Sequence, residues 1–417
     1  MNVREIFLHH ALGVTPKALK TVVSNTHIQT TGENFMKKSL IAAALLGTFA
    51  ASAFAAPSVT LYGRIDTSLA YTHLNTDKAG VDSTDTFSME SGFSTGNRWG
   101  LKGTEDIGNA KVGFVLESGF NSDDGVSGQN SRLFGREAQV NVSGAYGTLY
   151  AGRLASIASD SGSIGYLGDV SAFPNAFGIV GTQRGSTGSA YDRYDNTLAY
   201  QTPTFGGLQG AIMYSFKGDA KVSDSNPKEV ANARENSGDA DRYLAAGLRY
   251  KAGKAAVVLT GDMTMYSNDV NNVYHDVDNG YSFILGGNYD FGVAKVFAKA
   301  TYFDNQVNVI DSFSLIKDAR ALSTPQALAL KGWGAEISTA VPAFGGAFLG
   351  TVGYRDAKDV DNGSYKFKRW NAAVGYSYAF SKRTSVYAAA GYAQEKSDAQ
   401  DRKASAAQAG FGLVHKF

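Results

Sequence analysis

The chain has 417 residues, no Cys, seven Pro, 48 Gly and a formal charge of +1. Residues 1–55 hold five basic and two acidic groups, which leaves 34 basic against 36 acidic in the remainder, a balance that argues against a nucleic acid as partner. Length alone would suggest two or three soluble domains, but Gly and the 46 Phe and Tyr residues run evenly from Val59 to the end, with no Pro-rich or charged linker.

In chain order, residues 1–35 show no periodicity and read as an extension from an early start codon, with Met36 as the working start. Residues 36–55 combine a basic start (Lys37, Lys38), an apolar centre and the small-residue ending Ala53-Phe54-Ala55. Those are the parts of a secretory signal peptide cleaved after Ala55. The expected mature unit is therefore 56–417, and it contains no apolar run of about 18 residues that could form a spanning helix.

From Val59 the chain alternates. Val59, Leu61, Gly63, Ile65, Thr67, Leu69 and Tyr71 share one face, and Thr60, Tyr62, Arg64, Asp66 and Ser68 the other, the period of a strand between two different environments. The same pattern recurs in pairs joined by short turns: Asn97 to Glu105 with Lys111 to Gly119, Glu137 to Ser143 with Thr148 to Gly152, and Tyr194 to Gln201 with Leu208 to Phe216. It continues in Arg242 to Tyr250 with Val257 to Met265, Tyr281 to Tyr289 with Lys295 to Tyr302, Lys331 to Ala340 with Phe348 to Arg355, and Trp370 to Phe380 with Ser385 to Tyr392. A last strand runs from Gln408 to Phe417, so the expected total is sixteen.

Between the pairs lie long polar insertions, such as Asp219 to Ala240, Asn268 to Asn279 and Asp304 to Leu330. Short turns on one side and long loops on the other are the habit of outer-membrane barrels. Closing sixteen strands into a ring lets the apolar faces meet lipid, pairs every backbone group and leaves no edge. The fold expected is an all-β, 16-stranded antiparallel transmembrane barrel, with a soluble sandwich or barrel as the alternative.

The insertion from Arg153 to Arg193 differs from the others, because it carries Ile164, Tyr166, Leu167, Val170, Phe173, Phe177 and Ile179 among its Gly and Ser. A loop that long and that apolar is expected to pack, and the lumen is where it can.

Several stretches resemble the Gram-negative general porin family, over Val59 to Phe417. They are Val59-Thr-Leu-Tyr-Gly-Arg64, Arg98-Trp-Gly-Leu-Lys-Gly-Thr-Glu-Asp-Ile-Gly108, Gly147-Thr-Leu-Tyr-Ala-Gly-Arg153, Arg193-Tyr-Asp-Asn196, Phe205-Gly-Gly-Leu208 and the ending Phe411-Gly-Leu-Val-His-Lys-Phe417. The resemblance implies a homotrimer, a third loop folded inward, and a terminal Phe417 that the outer-membrane assembly machinery recognises. It also implies a basic ladder at Arg64, Arg98, Arg153 and Arg193, faced by loop carboxylates. The loop offers Asp160, Asp169 and Asp192, of which Asp169 is the first choice, and Phe173-Pro174-Asn175-Ala176-Phe177-Gly178 replaces the Pro-Glu-Phe-Gly-Gly stretch of enterobacterial members.

By alternation Arg64, Arg98 and Arg193 have lumen parity, whereas Arg153 shares the parity of Leu149 and Ala151 and needs a bulge. Lys102, Arg249, Lys299 and Arg355 add positive charge to the lumen face, offset by Glu117 and Asp290.

The expected function is passive diffusion of small hydrophilic solutes with weak anion preference. The alternative is a substrate-specific channel for organic acids or sugars. An adhesin or phage-receptor barrel is a third class. The mature histidines His73, His275 and His415 form no metal or catalytic set, so no enzyme and no cofactor are expected.

Overall fold

The computed structural model describes residues 58–173, 177, 193–219, 233–270, 276–307, 309, 315–316 and 328–417. The proposed extension and signal peptide, and Asp192, lie outside the described residues. Ser58–Phe417 forms one compact unit.

Its strands are β1 Ser58–Asn75, β2 Thr84–Ser91, β3 Arg98–Asp106, β4 Ala110–Gly119, β5 Glu137–Gly144 and β6 Gly147–Ala155. Then follow β7 Arg193–Gln201, β8 Leu208–Ser215, β9 Arg242–Ala252, β10 Ala255–Met265, β11 Gly280–Asp290 and β12 Lys295–Gln306. The last are β13 Leu330–Ala343, β14 Gly346–Asp359, β15 Lys366–Ala379, β16 Thr384–Ser397 and β17 Arg402–Lys416.

From β3 to β17 each strand pairs antiparallel with the next. β1 closes the ring, pairing with β17 on one side and with β3 on the other. β2 was not expected from the sequence. It continues the line of β3 beside β1, matching Thr67↔Ser91 to Leu74↔Thr84 where β3 matches Ser58↔Thr104 to Arg64↔Arg98. The two are one wall position interrupted at residues 92–97, so the barrel is closed and sixteen-stranded.

The two faces differ as the alternation requires. In register across β9, β10 and β11, Leu248, Leu259 and Leu285 are all exposed on the outside. Ala245, Val258 and Ile284, at the opposite parity, are buried in the interior. Exposed leucines across neighbouring strands cannot be an aqueous surface of ordinary composition, and they fit a lipid-facing band.

The interior is not empty. The long third loop packs Leu154, Ile157, Ile164, Tyr166, Leu167 and Val170 against Met213, Tyr243, Val258 and Ile284 of the wall. A second segment folds inward after β12, where Val309, Leu315, Ile316 and Leu328 join Phe303, Phe367, Ala393 and Ala404. The start of β1 and the end of β17 lie on the short-turn side, where Gly63 and Phe417 exchange backbone hydrogen bonds at 3.1 Å. The Phe417 ring covers Gly63 so closely that a Cβ there would fall 2.3 Å from Cζ.

Arginine in place of Leu285, at the middle of β11, is expected to cost about 2–4 kcal/mol of stability in a bilayer. A lowered urea midpoint for folding into phosphatidylcholine vesicles would register it, and an unchanged midpoint would place that face out of lipid.

Candidate functional site

The interior wall formed by β1, β3, β4 and β5 gathers charge. Arg64 on β1 and Arg98 on β3 are register partners. Arg136, just before β5, and Arg193, at the start of β7, stand near enough for the four guanidinium groups to repel one another, Arg64 with Arg136 and Arg98 with all three others. Glu117 on β4 offsets them: its Oε1 lies 2.6 Å from Arg136 Nε and 3.9 Å from Arg98 Nη1, and its Oε2 accepts from the Tyr62 hydroxyl at 2.9 Å. Glu137 also faces this cluster and accepts from Ser163 N at 2.7 Å and Ser163 Oγ at 2.8 Å, which ties the third loop to the wall. Asp66, buried on β1 beside Arg64, is a third carboxylate, and four arginines against three leave the wall net positive.

Two further contacts orient the arginines. Arg64 donates to Thr95 Oγ1 at 2.7 Å, and Arg98 Nε donates to the Gly96 carbonyl at 3.1 Å. The 92–97 segment is itself held by buried Asp66, which accepts from the backbone N–H of Ser94 and of Thr95 and from the Tyr387 hydroxyl at 2.6 Å. Arg193 reaches the loop, with Nη2 3.4 Å from Ser161 Oγ.

Arg153 does not join this group. A bulge with Gly152 at φ +133° shifts the register between Gly152 and Leu154, and the Arg153 side chain then binds the Gly135 carbonyl at 2.8 Å and Asp195 at 2.6 Å. Arg132 pairs with the same Asp195 at 3.0 Å and with Asp219. This is a second charged set, neutralised within itself.

The third loop crosses the interior from β6 toward β16. Ile157 N donates to Met213 Sδ, Ser156 meets the Tyr243 hydroxyl at 2.6 Å, and Arg249 lies 4.7 Å from the centre of the Tyr166 ring while donating to Gln209 at 2.6 Å. Further on, Asn288 holds the Asp169 carbonyl at 2.7 Å, Ser171 donates to Glu336, and Ala172 N donates to Ser338 Oγ at 2.9 Å. Phe173 and Phe177 finish against Phe93 and Tyr387. Each fully buried Leu or Ile along this path contributes about 1.5–3 kcal/mol, so the loop is held by packing as well as by hydrogen bonds.

The loop carboxylates point elsewhere than expected. Asp169 pairs with Lys251 at 2.6 Å, at the short-turn end of β9, and not with the arginines. Asp160 acts on Lys299, whose ammonium lies 3.1 Å from Glu336 with no solvent exposure. The reason is position: the loop meets the arginine wall through Ser161 and Ser163, whereas Asp160 and Asp169 are carried to the β9 to β13 side. Glu117 and Glu137, on the wall itself, take the part expected of the loop.

The remaining charges also separate. Lys102 is exposed and lies 5.1 Å from the centre of the Tyr62 ring. Arg355 faces inward but is buried, 2.6 Å from Glu395, and donates to the Val309 carbonyl at 3.1 Å. Glu395 also receives Arg369 at 3.7 Å and the Leu315 N–H at 2.8 Å, so this triad anchors the second inward segment instead of lining an open passage. Asp290 caps the tight turn after β11 by accepting from Gly292 N. Arg132 and Arg136 were missed by sequence reasoning because residues 120–136 read as one more polar insertion, and Glu137 because it read only as the first residue of a strand.

Residues 42–398 match the Gram-negative porin family. An outer membrane porin protein of Bordetella pertussis is 35% identical over 413 residues, covering 92% of this chain and 100% of that protein. Outer membrane porin protein 32 of Delftia acidovorans is 33% identical over 63% of this chain and 68% of its own length. Among solved structures, an anion-selective porin from Comamonas acidovorans superimposes with a TM-score of 0.58 at 23% identity, covering 87% of this chain and all of that one. The trimer form of OmpT from Vibrio cholerae gives 0.53 at 15% identity, covering 87% of this chain and 99% of that one.

Truncating Leu167 to Ala removes packing worth about 2–5 kcal/mol. Amide exchange across residues 157–170 should then quicken by roughly 30-fold or more while β9 stays protected. Unchanged exchange in the loop would contradict the packing described.

Proposed function

The chain belongs to the Gram-negative porin family, and from that premise we propose that its barrel is a water-filled diffusion channel with a weak preference for anions. It is an outer-membrane porin, a passive channel and not an enzyme. The finer reading rests on one observation: Arg64, Arg98, Arg136 and Arg193 share a wall on which, among the described residues, Asp66, Glu117 and Glu137 offset them, four cations against three carboxylates. Solutes pass along this wall through the lumen that the third loop narrows. Fixed positive charge at a narrow point raises the local concentration of anions and repels cations, because a low-dielectric surround focuses the field. The anion selectivity named for the Comamonas relative supports the same sign.

Salt bridging keeps the effect weak. Net charge is small, and dissolved ions screen it over about 10 Å at 0.1 M and about 3 Å at 1 M. Polar but uncharged solutes also cross, oriented by the field of the arginines and of the carboxylates on the same wall. Arg153, Lys299 and Arg355 belong to the supports of the pore and not to its conducting surface, since the Lys299 and Arg355 side chains are closed off from solvent and Arg153 is neutralised by Asp195.

The reading extends to assembly. Export uses the segment ending at Ala55, and mature protein starts at Ala56. Phe417, seated over Gly63 beside the closing pair of β1 and β17, is the end presented to the outer-membrane assembly machinery. Three copies associate side by side in lipid, in keeping with the trimer form recorded for the Vibrio relative.

Reversal potentials across a planar bilayer in a tenfold KCl gradient test the selectivity. The expected result is a chloride-to-potassium permeability ratio above one, larger at low salt than at 1 M. The double replacement Arg64→Gln with Arg98→Gln should lower that ratio several-fold. A wild-type preference for potassium overturns the proposal.

A further inference from the structure

Tyr387 stands on β16, on the far side of β17 from β1, and the channel as read so far gives it no part. The contacts of Asp66 supply one. β1 pairs with β3 as far as Arg64 and with β2 from Thr67 onward, so Ile65 and Asp66 lie opposite the interruption at residues 92–97. Asp66 is wholly buried, and its polar groups take up those that the interruption leaves open. Its N–H donates to Asn97 Oδ1, and its carbonyl accepts from Gly92 N at 2.9 Å and from Ser122 Oγ at 3.0 Å. Oδ2 accepts from Ser94 N at 2.9 Å and from Thr95 N at 2.6 Å. Oδ1 accepts from the Tyr387 hydroxyl at 2.6 Å, from a residue 321 positions away in the sequence.

The reach across β17 is built into that strand. Tyr387 is the register partner of Gly412, and Gly412 is that of Ser68. A Cβ on Gly412 would fall 2.5 Å from the Tyr387 hydroxyl oxygen and 2.7 Å from Ser68 Cβ, so the bare backbone of glycine lets the ring lie over the strand. Gly410, two residues earlier on the same face, makes room for Phe93, whose ring would stand 3.0 Å from a Cβ there. Phe93 and Tyr387 stack with centroids 6.3 Å apart and planes 7° from parallel. Phe177 stands edge-on to both, at 6.1 Å and 5.4 Å. The far end of the third loop and the 92–97 segment therefore share one aromatic seat.

That segment in turn holds arginines. Thr95 Oγ1 accepts from Arg64, and the Gly96 carbonyl accepts from Arg98 Nε. Both acceptors are neutral, whereas carboxylates stand close by: Asp66 and Glu117 act on Arg64, and Glu117 lies 3.9 Å from Arg98. Held by neutral groups, the two guanidinium groups present their charge to the lumen. Released, they turn to the carboxylates, whose charge-assisted bonds are the stronger, and that charge is lost to passing ions.

We propose that Tyr387 and Asp66 are positioning residues for ion selectivity. The hydroxyl bond over Gly412 fixes Asp66, Asp66 fixes residues 92–97, and those fix Arg64 and Arg98. The inference rests on the reading that these arginines set the anion preference. Asp66 and Tyr387 are both buried, so they act on ions only through the arginines.

Two substitutions that leave the lumen charge unchanged test the link: Tyr387→Phe, which removes the hydroxyl alone, and Gly412→Ala, which displaces it. Each should lower the chloride-to-potassium permeability ratio by about twofold or more at low salt, while single-channel conductance stays near wild type at 1 M KCl, where screening acts over about 3 Å. In the Arg64→Gln, Arg98→Gln background neither should lower the ratio further, a result that general loosening of the barrel would not give. Amide exchange at Ser94 and Thr95 should quicken roughly tenfold in Tyr387→Phe, as expected when a hydrogen bond to a charged group is lost. An unchanged ratio in both variants, an equal fall in the double-Gln background, or unchanged exchange at Ser94 and Thr95 overturns the proposal. Potassium preference in the wild type is a separate result: it overturns the anion reading, whereas the link stands or falls on the exchange at Ser94 and Thr95.

Discussion

A strand that crosses hydrocarbon has nowhere to send its N–H and C=O groups except to another strand, and each one left unpaired costs several kcal/mol. That requirement closes the ring from β1 through β3 to β17 and back, and almost everything else in this molecule follows from the closure. A closed ring has one outside and one inside, so a period of two in the sequence becomes a division between lipid and lumen. It also fixes what the connections can do: short turns suffice on one side, and the length left over is concentrated in loops on the other.

The inside face is built by those loops as much as by the wall. The third loop and the segment after β12 bring Ile157, Leu167, Leu315 and Leu328 into the interior, and each is fastened by a buried charge. Lys299 with Glu336 lies beneath the first, and Arg355 with Glu395 and Arg369 beneath the second. Buried pairs of this kind contribute little net stability, but losing one partner leaves the other uncompensated. They therefore fix position more than they add strength. The charges left to act on solutes are the ones the loops do not cover, on the β1 to β5 half.

The strand positions were legible because alternation is strictly local: the outward parity of Leu61, Leu198 and Leu285 can be read from their immediate neighbours. The exceptions were long-range. β2 was hidden in a polar insertion, although Phe87 and Met89 alternate in it and both are exposed outward. Asp169 could not be assigned because its partner, Lys251, is 82 positions away and is brought near only by the path of the loop. Arg136 and Glu137 looked like the end of a loop and the start of a strand, and nothing nearby signals that both are buried, Arg136 beside Arg98 and Glu137 beside Arg193. Arg355 showed the correct parity but not the segment that covers it, since parity gives direction and not exposure.

Because the native chain has no Cys, a single engineered thiol reports which face is wet. Lys102, on the inward side beside Tyr62, and Leu285, on the outward side of β11, are the two positions to compare. With the protein folded into phosphatidylcholine vesicles, a charged water-soluble thiol reagent should modify Cys at position 102 rapidly and leave Cys at position 285 essentially untouched. Equal rates at the two positions, or the reverse order, would contradict the assignment of lipid to one face and solvent to the other.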